Sequence, residues 1–349
     1  MSFSLSRPSL TLATLPFLPA THIIDYLDID SLYCLAGTAR VFKEFIQDMK
    51  IRTGGYNISI QKGQYEISLP EVNYSYYHYE GDAGYLVDLM NQDLKDFMRL
   101  FPGYIDCLQV DPNLVRHFHL FNQACTVLSV GGQPFQYHGQ KVDSCTPEQL
   151  EVLLNFVNFQ KGLALNGPKP LITENEKIFN IDWLQIRNAT WITSEFLKKL
   201  KNKIVFLMDT EELTEEHINQ YIRGGSIDNQ YLQVIGFSRE TFWNKEAILN
   251  GLGTVRAVDQ IYKVADFDKR ITTEMFLPKV SNNRDIKIED SFDFTTNDGT
   301  KVSIDISRRT VRVYIWNQNQ YQDKEKIQKV TKKRRHTEDI NGPDAKKSC

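Results

Sequence analysis

Catalysis by side chains requires a nucleophile, an acid or a base at defined spacings, and no such set is recognisable in this sequence. His117 and His119 flank Phe118, and two histidines at this separation do not share a face of a helix. On a strand they would share a face, but no third ligand lies nearby in the sequence, so a surface or helix-cap role is favoured over a metal site. We therefore expect no enzymatic activity, no bound metal and no cofactor.

Two other patterns could belong to active sites, and both have a simpler structural explanation. Gly251-Leu252-Gly253 opens a fragment of a dinucleotide-binding motif, but it follows a helical stretch instead of a strand. It is therefore predicted to end a helix. Asp28 and Asp30 are neighbouring carboxylates only in sequence, and we assign them to an interhelix loop and a helix cap.

Composition describes a folded protein of two or three domains. The 349 residues are 41% hydrophobic and 24% charged, with a net charge of -3. Residues 323–349 contain nine Lys and Arg against five Asp and Glu, so the rest of the chain is mildly acidic and a broad phosphate-binding face is not expected. The five cysteines, with no CxxC pair, indicate a reducing compartment, either cytoplasm or nucleus. No apolar run has the length and continuity of a membrane span.

Residues 15–50 have the pattern of three short helices. Asp30 or Ser31 is predicted to cap the second of them. A unit of this size rarely buries enough surface to be stable alone, so we expect its apolar stripes to pack on the rest of the chain or on a partner. The stripes, helix by helix, are Ile23, Ile24 and Leu27; Leu32, Leu35 and Ala36; and Val41, Phe42, Phe45 and Ile46.

Residues 56–79 change to the alternation that is typical of half-buried strands. A run of tyrosines ends this segment, and tyrosines can stack on single-stranded bases. Tyrosine is also a strand former, and in an acidic chain the structural role is favoured. The alternating residues on either side of Gly63 are Tyr56, Ile58 and Ile60, then Tyr65, Ile67 and Leu69; the tyrosine run is Tyr74, Tyr76, Tyr77 and Tyr79.

From residue 104 onward, short apolar runs alternate with helical stretches. Successive runs are 20, 35, 21, 21 and 27 residues apart, and four of these five spacings fit leucine-rich-repeat units. Thr146, Thr193 and Thr214 are the predicted N-caps of intervening helices. The pattern predicts an irregular solenoid with its helices on one side of a sheet. The runs are centred on Leu108 and Val110, Leu128 and Val130, Leu163 and Leu165, Leu184 and Ile186, Val205 and Leu207, and Leu232 and Val234.

The last folded segment, residues 292–316, has the pattern of a β-meander. Its alternating strands are separated by the turns Asn297-Asp298-Gly299 and Arg308-Arg309. Hydrophobic periodicity ends after Trp316, so residues 318–349 are expected to be disordered. Within this tail, four consecutive basic residues have the density of a nuclear-import signal, and a solvated charge run is the alternative. They are Lys332, Lys333, Arg334 and Arg335.

The N-terminal stripes resemble an F-box. That motif consists of a Leu-Pro start, an apolar pair and a leucine before a turn, two leucines three apart and an Arg-x-aromatic end. The proline-framed start at residues 15–19 is similar to that of F-box proteins expanded in nematodes, and Phe42 replaces the usual tryptophan. The matching residues, in order, are Leu15 and Pro16; Ile23, Ile24 and Leu27; Leu32 and Leu35; and Arg40, Val41 and Phe42.

Two segments of the second half are similar to the F-box-associated domain of the same nematode group. Residues 213–235 resemble its core segment, and residues 293–316 resemble its end. A tryptophan that is common in the helix of the core segment is absent here. The resemblance implies a class of α+β or α/β fold, in which an irregular leucine-rich-repeat-like domain follows the F-box and ends in a β-meander.

The resemblance also implies a function. An F-box protein of this kind is a substrate-recognition subunit of a Skp-cullin-F-box ubiquitin ligase: its helices bind a Skp-family adaptor, which joins a cullin, and its C-terminal domain holds an unidentified target protein. The implied domains are residues 1–50 (F-box-like), 51–103 (β-rich connecting region), 104–317 (F-box-associated) and 318–349 (basic tail). The expected adaptor contacts are Leu15, Pro16, Ile23, Ile24, Leu27, Leu32, Leu35 and Phe42.

Two alternatives remain on the sequence alone. The first is a leucine-rich-repeat-like interaction scaffold without ligase function, whose N-terminal helices only close the solenoid. The second is a nucleic-acid-binding protein that uses the tyrosine run and the basic tail, and its affinity would fall steeply with salt. The acidic charge of the rest of the chain disfavours the second alternative.

Overall fold

Helices and strands alternate through the part of the chain that the computed structural model describes. These described residues are 17–24, 26–51, 53–61, 63–69, 72–76, 83–111, 114, 117–118, 121, 123–131, 146–167, 170–225, 232–263, 285–296 and 299–316. The chain divides into a first unit, residues 1–178, and a second unit, residues 179–349. Each unit combines helices with β-strands, which confirms the predicted mixture of the two.

Three short helices begin the first unit, as the apolar stripes predict. They are α1 (Phe17–Ile24), α2 (Ile29–Thr38) and α3 (Arg40–Met49). The N-cap of α2 is Asp28, whose carboxylate accepts a hydrogen bond from the backbone N–H of Ser31 at 2.8 Å. The predicted cap, Asp30 or Ser31, was therefore wrong, because both residues already lie inside the helix and the carboxylate that reaches the free N–H belongs to Asp28.

The sheet of the first unit has six strands among the residues that the structure describes. Parallel strands β1, β4, β5 and β6 are neighbours in the spatial order β6-β5-β4-β1, and β2 and β3 extend the sheet beyond β1 in antiparallel fashion. Ile58, Leu108, Leu128 and Leu163 are in register across the parallel strands, so one row of core side chains crosses the sheet. The bounds are β1 (Gly55–Gln61), β2 (Gln64–Leu69), β3 (Val72–Tyr76), β4 (Tyr104–Val110), β5 (Ala124–Val130) and β6 (Asn158–Leu165).

Helix α4 (Ala83–Leu100) was not predicted, since the interval 51–103 was interpreted as β-rich. The hydroxyl of Tyr65 on β2 donates to the carboxylate of Asp93 on α4, which ties the helix to the sheet. The inward residues of α4 follow helical spacing. The prediction of a β-rich region rested on the strand pattern of the preceding residues and did not include this spacing. Those that are fully buried include Leu86, Val87, Met90, Leu94 and Phe97. Helix α5 (Pro147–Phe156) begins at the predicted Thr146 capping box.

The second unit begins near α6 (Lys177–Asn180), and its described part contains seven strands in the spatial order β10-β11-β12-β13-β9-β8-β7. Strands β7, β8 and β9 run parallel to one another. Each pair of neighbouring strands in the order β9-β13-β12-β11-β10 is antiparallel. The bounds are β7 (Trp183–Ile186), α7 (Ser194–Lys199), β8 (Ile204–Leu207), α8 (Glu215–Gln220), β9 (Val234–Ser238), α9 (Lys245–Leu249), β10 (Val255–Lys263), β11 (Asp285–Thr295), β12 (Lys301–Ile306) and β13 (Thr310–Trp316).

Most local predictions for residues 104–316 are confirmed. Five of the six apolar runs lie within strands β4 to β8, and Thr193 and Thr214 cap α7 and α8. The sixth strand is displaced, because pairing of β9 with β8 begins at Val234 and Leu232 precedes the strand. Strands β11, β12 and β13 form the predicted meander; Asn297 and Asp298 of its first turn lie outside the described residues, and Gly299 has φ +87.

Tight corners end the parallel strands. The N–H of Asp111 donates to Ile60 O at 2.9 Å, that of Gly131 to Val110 O at 3.1 Å, and that of Asn166 to Val130 O at 2.8 Å. Each parallel strand of the first unit is thus held to its parallel neighbour by a backbone hydrogen bond where the chain leaves the sheet. Among the described residues, no helix combines the length and the apolar character needed to cross a bilayer.

Helix α5 offers a test of which face supports the fold. Leu153 is fully buried, whereas its neighbour Val152 is 40% exposed. We expect Leu153→Ala to lower the free energy of unfolding by about 2–5 kcal/mol, because it leaves a cavity. Val152→Ala should change it by no more than about 0.5 kcal/mol. Urea unfolding followed by circular dichroism measures both, and equal effects would contradict the assigned core.

Candidate functional site

The N-terminal helices have an inner face that is sealed within their own chain. Ile24, Leu32 and Ile46 are 1%, 3% and 0% exposed. The ring of Tyr33 on α2 stacks on that of Phe97 on α4, with centroids 4.4 Å apart and planes within 7°. Helix α3 also packs on α4. Two expected adaptor contacts, Ile24 and Leu32, are therefore buried inside the isolated chain.

Apolar side chains also remain on the outside of the same helices. Ile23, Tyr26 and Val41 are 42%, 89% and 58% exposed, and we call these three residues the outer apolar set. Only Ile23 was an expected adaptor contact. Tyr26 lies in the turn after α1, where helical periodicity gives no signal, and Val41 belongs to a stripe whose orientation the sequence leaves open. The remaining expected contacts within the described residues are half-buried: Leu27, Leu35 and Phe42.

An exposed ion pair and an ionised N-cap belong to the helices that carry the outer apolar set. Arg40 and Glu44 form an exposed ion pair at 2.6 Å, and the side-chain hydrogen bond with Glu44 raises the pKa of Arg40. The N–H of Ser31 lowers the pKa of the Asp28 carboxyl, so the N-cap stays ionised.

Some of the predicted functional residues lie outside the described part of the chain. Leu15 and Pro16, which would open the F-box motif, precede the first described residue, Phe17. The basic residues at 332–335 follow the last described residue, Trp316. Their roles as adaptor contacts and as a nuclear-import signal remain predictions from sequence.

Comparison with known proteins gives no relative of this chain. No family model, no curated protein and no solved structure shows a significant match. The similarity to F-box proteins therefore rests on the residues of the motif alone, and the geometry of the exposed surfaces provides the other evidence on function.

The nucleophilic and metal-binding residue types are dispersed within the described residues. No group of three or more His, Cys, Asp or Glu is gathered there in a way that could hold a metal ion. Cys34, Cys107 and Cys125 are not part of a disulfide. Burial, and secondarily the charge of Cys107, raises the pKa of Cys125 to about 12, so this thiol is protonated at neutral pH. Of the two histidines considered above, His119 lies outside the described residues.

On one face of the sheet in the second unit, charged side chains form ion pairs between neighbouring strands. Arg312 and Asp305 are directly opposite each other on β13 and β12, and their ion pair measures 2.7 Å. Lys301 and Asp293 form a second pair at 3.1 Å, and both pairs are mostly buried. Tyr314 lies fully buried beside them in the sheet, and burial raises the pKa of its phenol. These groups fix strand register and offer little unsatisfied charge to a ligand.

A network around Arg239 fixes the loop that follows β9. Arg239 pairs with Glu215 at 2.5 Å, donates to Phe242 O at 2.8 Å and lies over the Trp243 ring, 3.6 Å from its centroid. The N–H of Asn244 donates to the same Glu215 carboxylate at 3.0 Å. We call residues 239–244 the Phe242 loop. The network links the loop to the first turn of α8.

Glu215 makes the strength of this network dependent on pH. Burial alone would raise the pKa of Glu215, but hydrogen bonds from backbone N–H groups and from Arg239 outweigh it, and the pKa is lowered from its ordinary value of 4.5. A lowered carboxyl pKa contributes stability that is present above the pKa of the unfolded state. That stability is lost as the pH falls through the pKa of the folded state.

We expect Glu215→Gln to lower the free energy of unfolding at pH 7 by about 1.5–3 kcal/mol, the value of hydrogen bonds to a charged group. The difference from the original protein should shrink as the pH falls below 4.5 and the carboxylate of the original protein becomes protonated. Denaturant unfolding at a series of pH values measures this. Glu212→Gln, at an exposed position three residues earlier, should show no such trend.

Proposed function

We propose that this protein is a substrate-recognition subunit of a Skp-cullin-F-box ubiquitin ligase. Its N-terminal helices would bind a Skp-family adaptor, which joins a cullin, and its larger remainder would hold the protein to be modified. The observation that carries this proposal is the outer apolar set, which stays exposed although the inner face of the same helices is sealed. Chemistry would be performed by other subunits.

The free energy gained by burying apolar side chains of the helices determines how many of them the adaptor interface must include. Full burial of an apolar side chain is worth about 1.5–3 kcal/mol, so the outer apolar set could supply about 5–9 kcal/mol. Association costs at least about 4 kcal/mol, and micromolar affinity needs about 8 kcal/mol net. Three anchors are therefore too few. The half-buried Leu27, Leu35 and Phe42, together with Leu15 and Pro16, would have to complete the interface.

Strand order supports a leucine-rich-repeat-like domain as the holder of the target. Strands β4, β5 and β6 are neighbours in chain order and parallel, and so are β7, β8 and β9. Within each unit these strands begin 20 to 34 residues apart. Such an order is typical of solenoid repeats, in which each unit contacts its neighbours in sequence. The proposed target-holding domain is an irregular version of that arrangement.

A scaffold without ligase function is the second candidate. The stack of Tyr33 on Phe97 and the complete burial of Ile46 favour it, because the helices cover part of their own chain. Both candidates require the inner face to be intact. Only the ligase subunit requires the outer apolar set to be buried by another protein.

Val41→Asp separates the two candidates. Val41 is 58% exposed and lies in the first turn of α3, where an acidic residue suits the helix dipole, so the fold should be retained. Binding of a purified Skp-family adaptor should weaken by about tenfold or more, because a charge would be desolvated in an apolar interface. Isothermal titration calorimetry with the full chain measures the affinity.

Val255→Asp is the matched control, since Val255 is 70% exposed but lies in the second unit. It should leave adaptor affinity unchanged. Absence of adaptor binding by the original protein, or equal binding by Val41→Asp, would exclude the ligase proposal in this form. Circular dichroism on both variants verifies that the helices are retained.

A further inference from the structure

Phe242 is an exposed aromatic side chain on a rigid loop. It is 62% exposed, although both ends of its loop are fixed. The N–H of Arg239 donates to Arg309 O at 3.1 Å, and that of Trp243 to Arg308 O at 3.0 Å. A preorganised aromatic side chain loses little conformational entropy on binding, and such residues dominate the energy of protein interfaces.

The loop is also fixed by a glutamate of the turn that precedes α8. The carboxylate of Glu211 accepts the N–H of Glu240 at 2.7 Å and the hydroxyl of Thr241 at 3.1 Å. Glu211 therefore lies beside the loop that presents Phe242. Its negative charge is held in place without a cationic partner among the described residues.

The surroundings of Phe242 have an excess of negative charge. The nearby positive charges are two exposed arginines of the adjoining turn, Arg308 and Arg309, and the half-buried Lys245 at the start of α9, whose ammonium group lies over the Phe292 ring. Five exposed glutamates come from the loop, from helices α8 and α9 and from the turn that precedes α8, and none of them forms an ion pair among the described residues. They are Glu211, Glu212, Glu216, Glu240 and Glu246. Complementarity therefore favours a partner that is positively charged.

We propose that the Phe242 loop binds the target protein, through a linear segment in which Lys or Arg residues flank apolar side chains that pack on Phe242. The apolar side chains would cover the exposed ring, and the basic residues would lie against the surrounding glutamates. The inference rests on the proposed function, because it assigns the target-binding role to one surface of the second unit.

Selection of a random 12-residue peptide library on the full chain tests this assignment. We expect the enriched peptides to combine Lys or Arg with large apolar residues. The affinity of the leading synthetic peptide, measured by fluorescence anisotropy, should fall about tenfold or more in Phe242→Ala. It should also fall with added salt, and Glu212→Gln combined with Glu240→Gln should reduce that salt dependence.

Val255→Ala, a change of an equally exposed apolar residue in the same unit, is the control and should leave peptide affinity unchanged. Absence of enrichment, enrichment of acidic peptides, or equal peptide binding by Phe242→Ala would overturn the assignment. Adaptor binding is measured in parallel. If the adaptor binds and no basic peptide is enriched, only this inference fails; if the peptides bind Phe242 and the adaptor does not bind, only the ligase function fails.

Discussion

Burial of the inner face of the N-terminal helices against α4 is the interaction on which the proposed function depends. Helices of 8 to 10 residues are not stable alone, so their orientation must come from a larger partner. The contact of Tyr33 with Phe97 supplies it, and Tyr65 and Asp93 in turn attach α4 to the sheet. The direction in which Ile23 and Val41 point is thus set by packing within the chain, from the helices to α4 and from α4 to the sheet, and not by contact with a partner.

The parallel strands stabilise the fold, and the loops that connect them are available for recognition. Rows of leucine, isoleucine and valine in register across each sheet supply the buried apolar area, and the corners at the strand ends satisfy the backbone. Loops beyond the corners are then free to carry residues that the core does not need. Phe242 is such a residue, since its ring is exposed while the backbone around it is held by Arg239.

Local signals were sufficient for much of the fold. The capping box at Thr146 and the alternation in β1 and β2 depend on neighbouring residues only, and both were predicted correctly. The orientation of α1 depends on long-range packing. Ile23 and Ile24 are adjacent and both apolar, yet one is 42% and the other 1% exposed. Periodicity could not distinguish them, because it does not show which side of a helix faces the core, and α4, on which α2 and α3 pack, was not predicted.

The packing of the N-terminal helices on α4 also decides which deletions and substitutions can be used to test the proposed function. Removal of residues 1–50 would expose the side of α4 that Tyr33 and α3 cover, so the remainder would lose stability whether or not the helices bind an adaptor. A deletion therefore cannot distinguish a ligase subunit from a scaffold. Exposed positions can, since Val41 and Tyr26 contribute little to the core. The fold does not require these residues to be apolar. Their apolar character is therefore explained by contact with a partner.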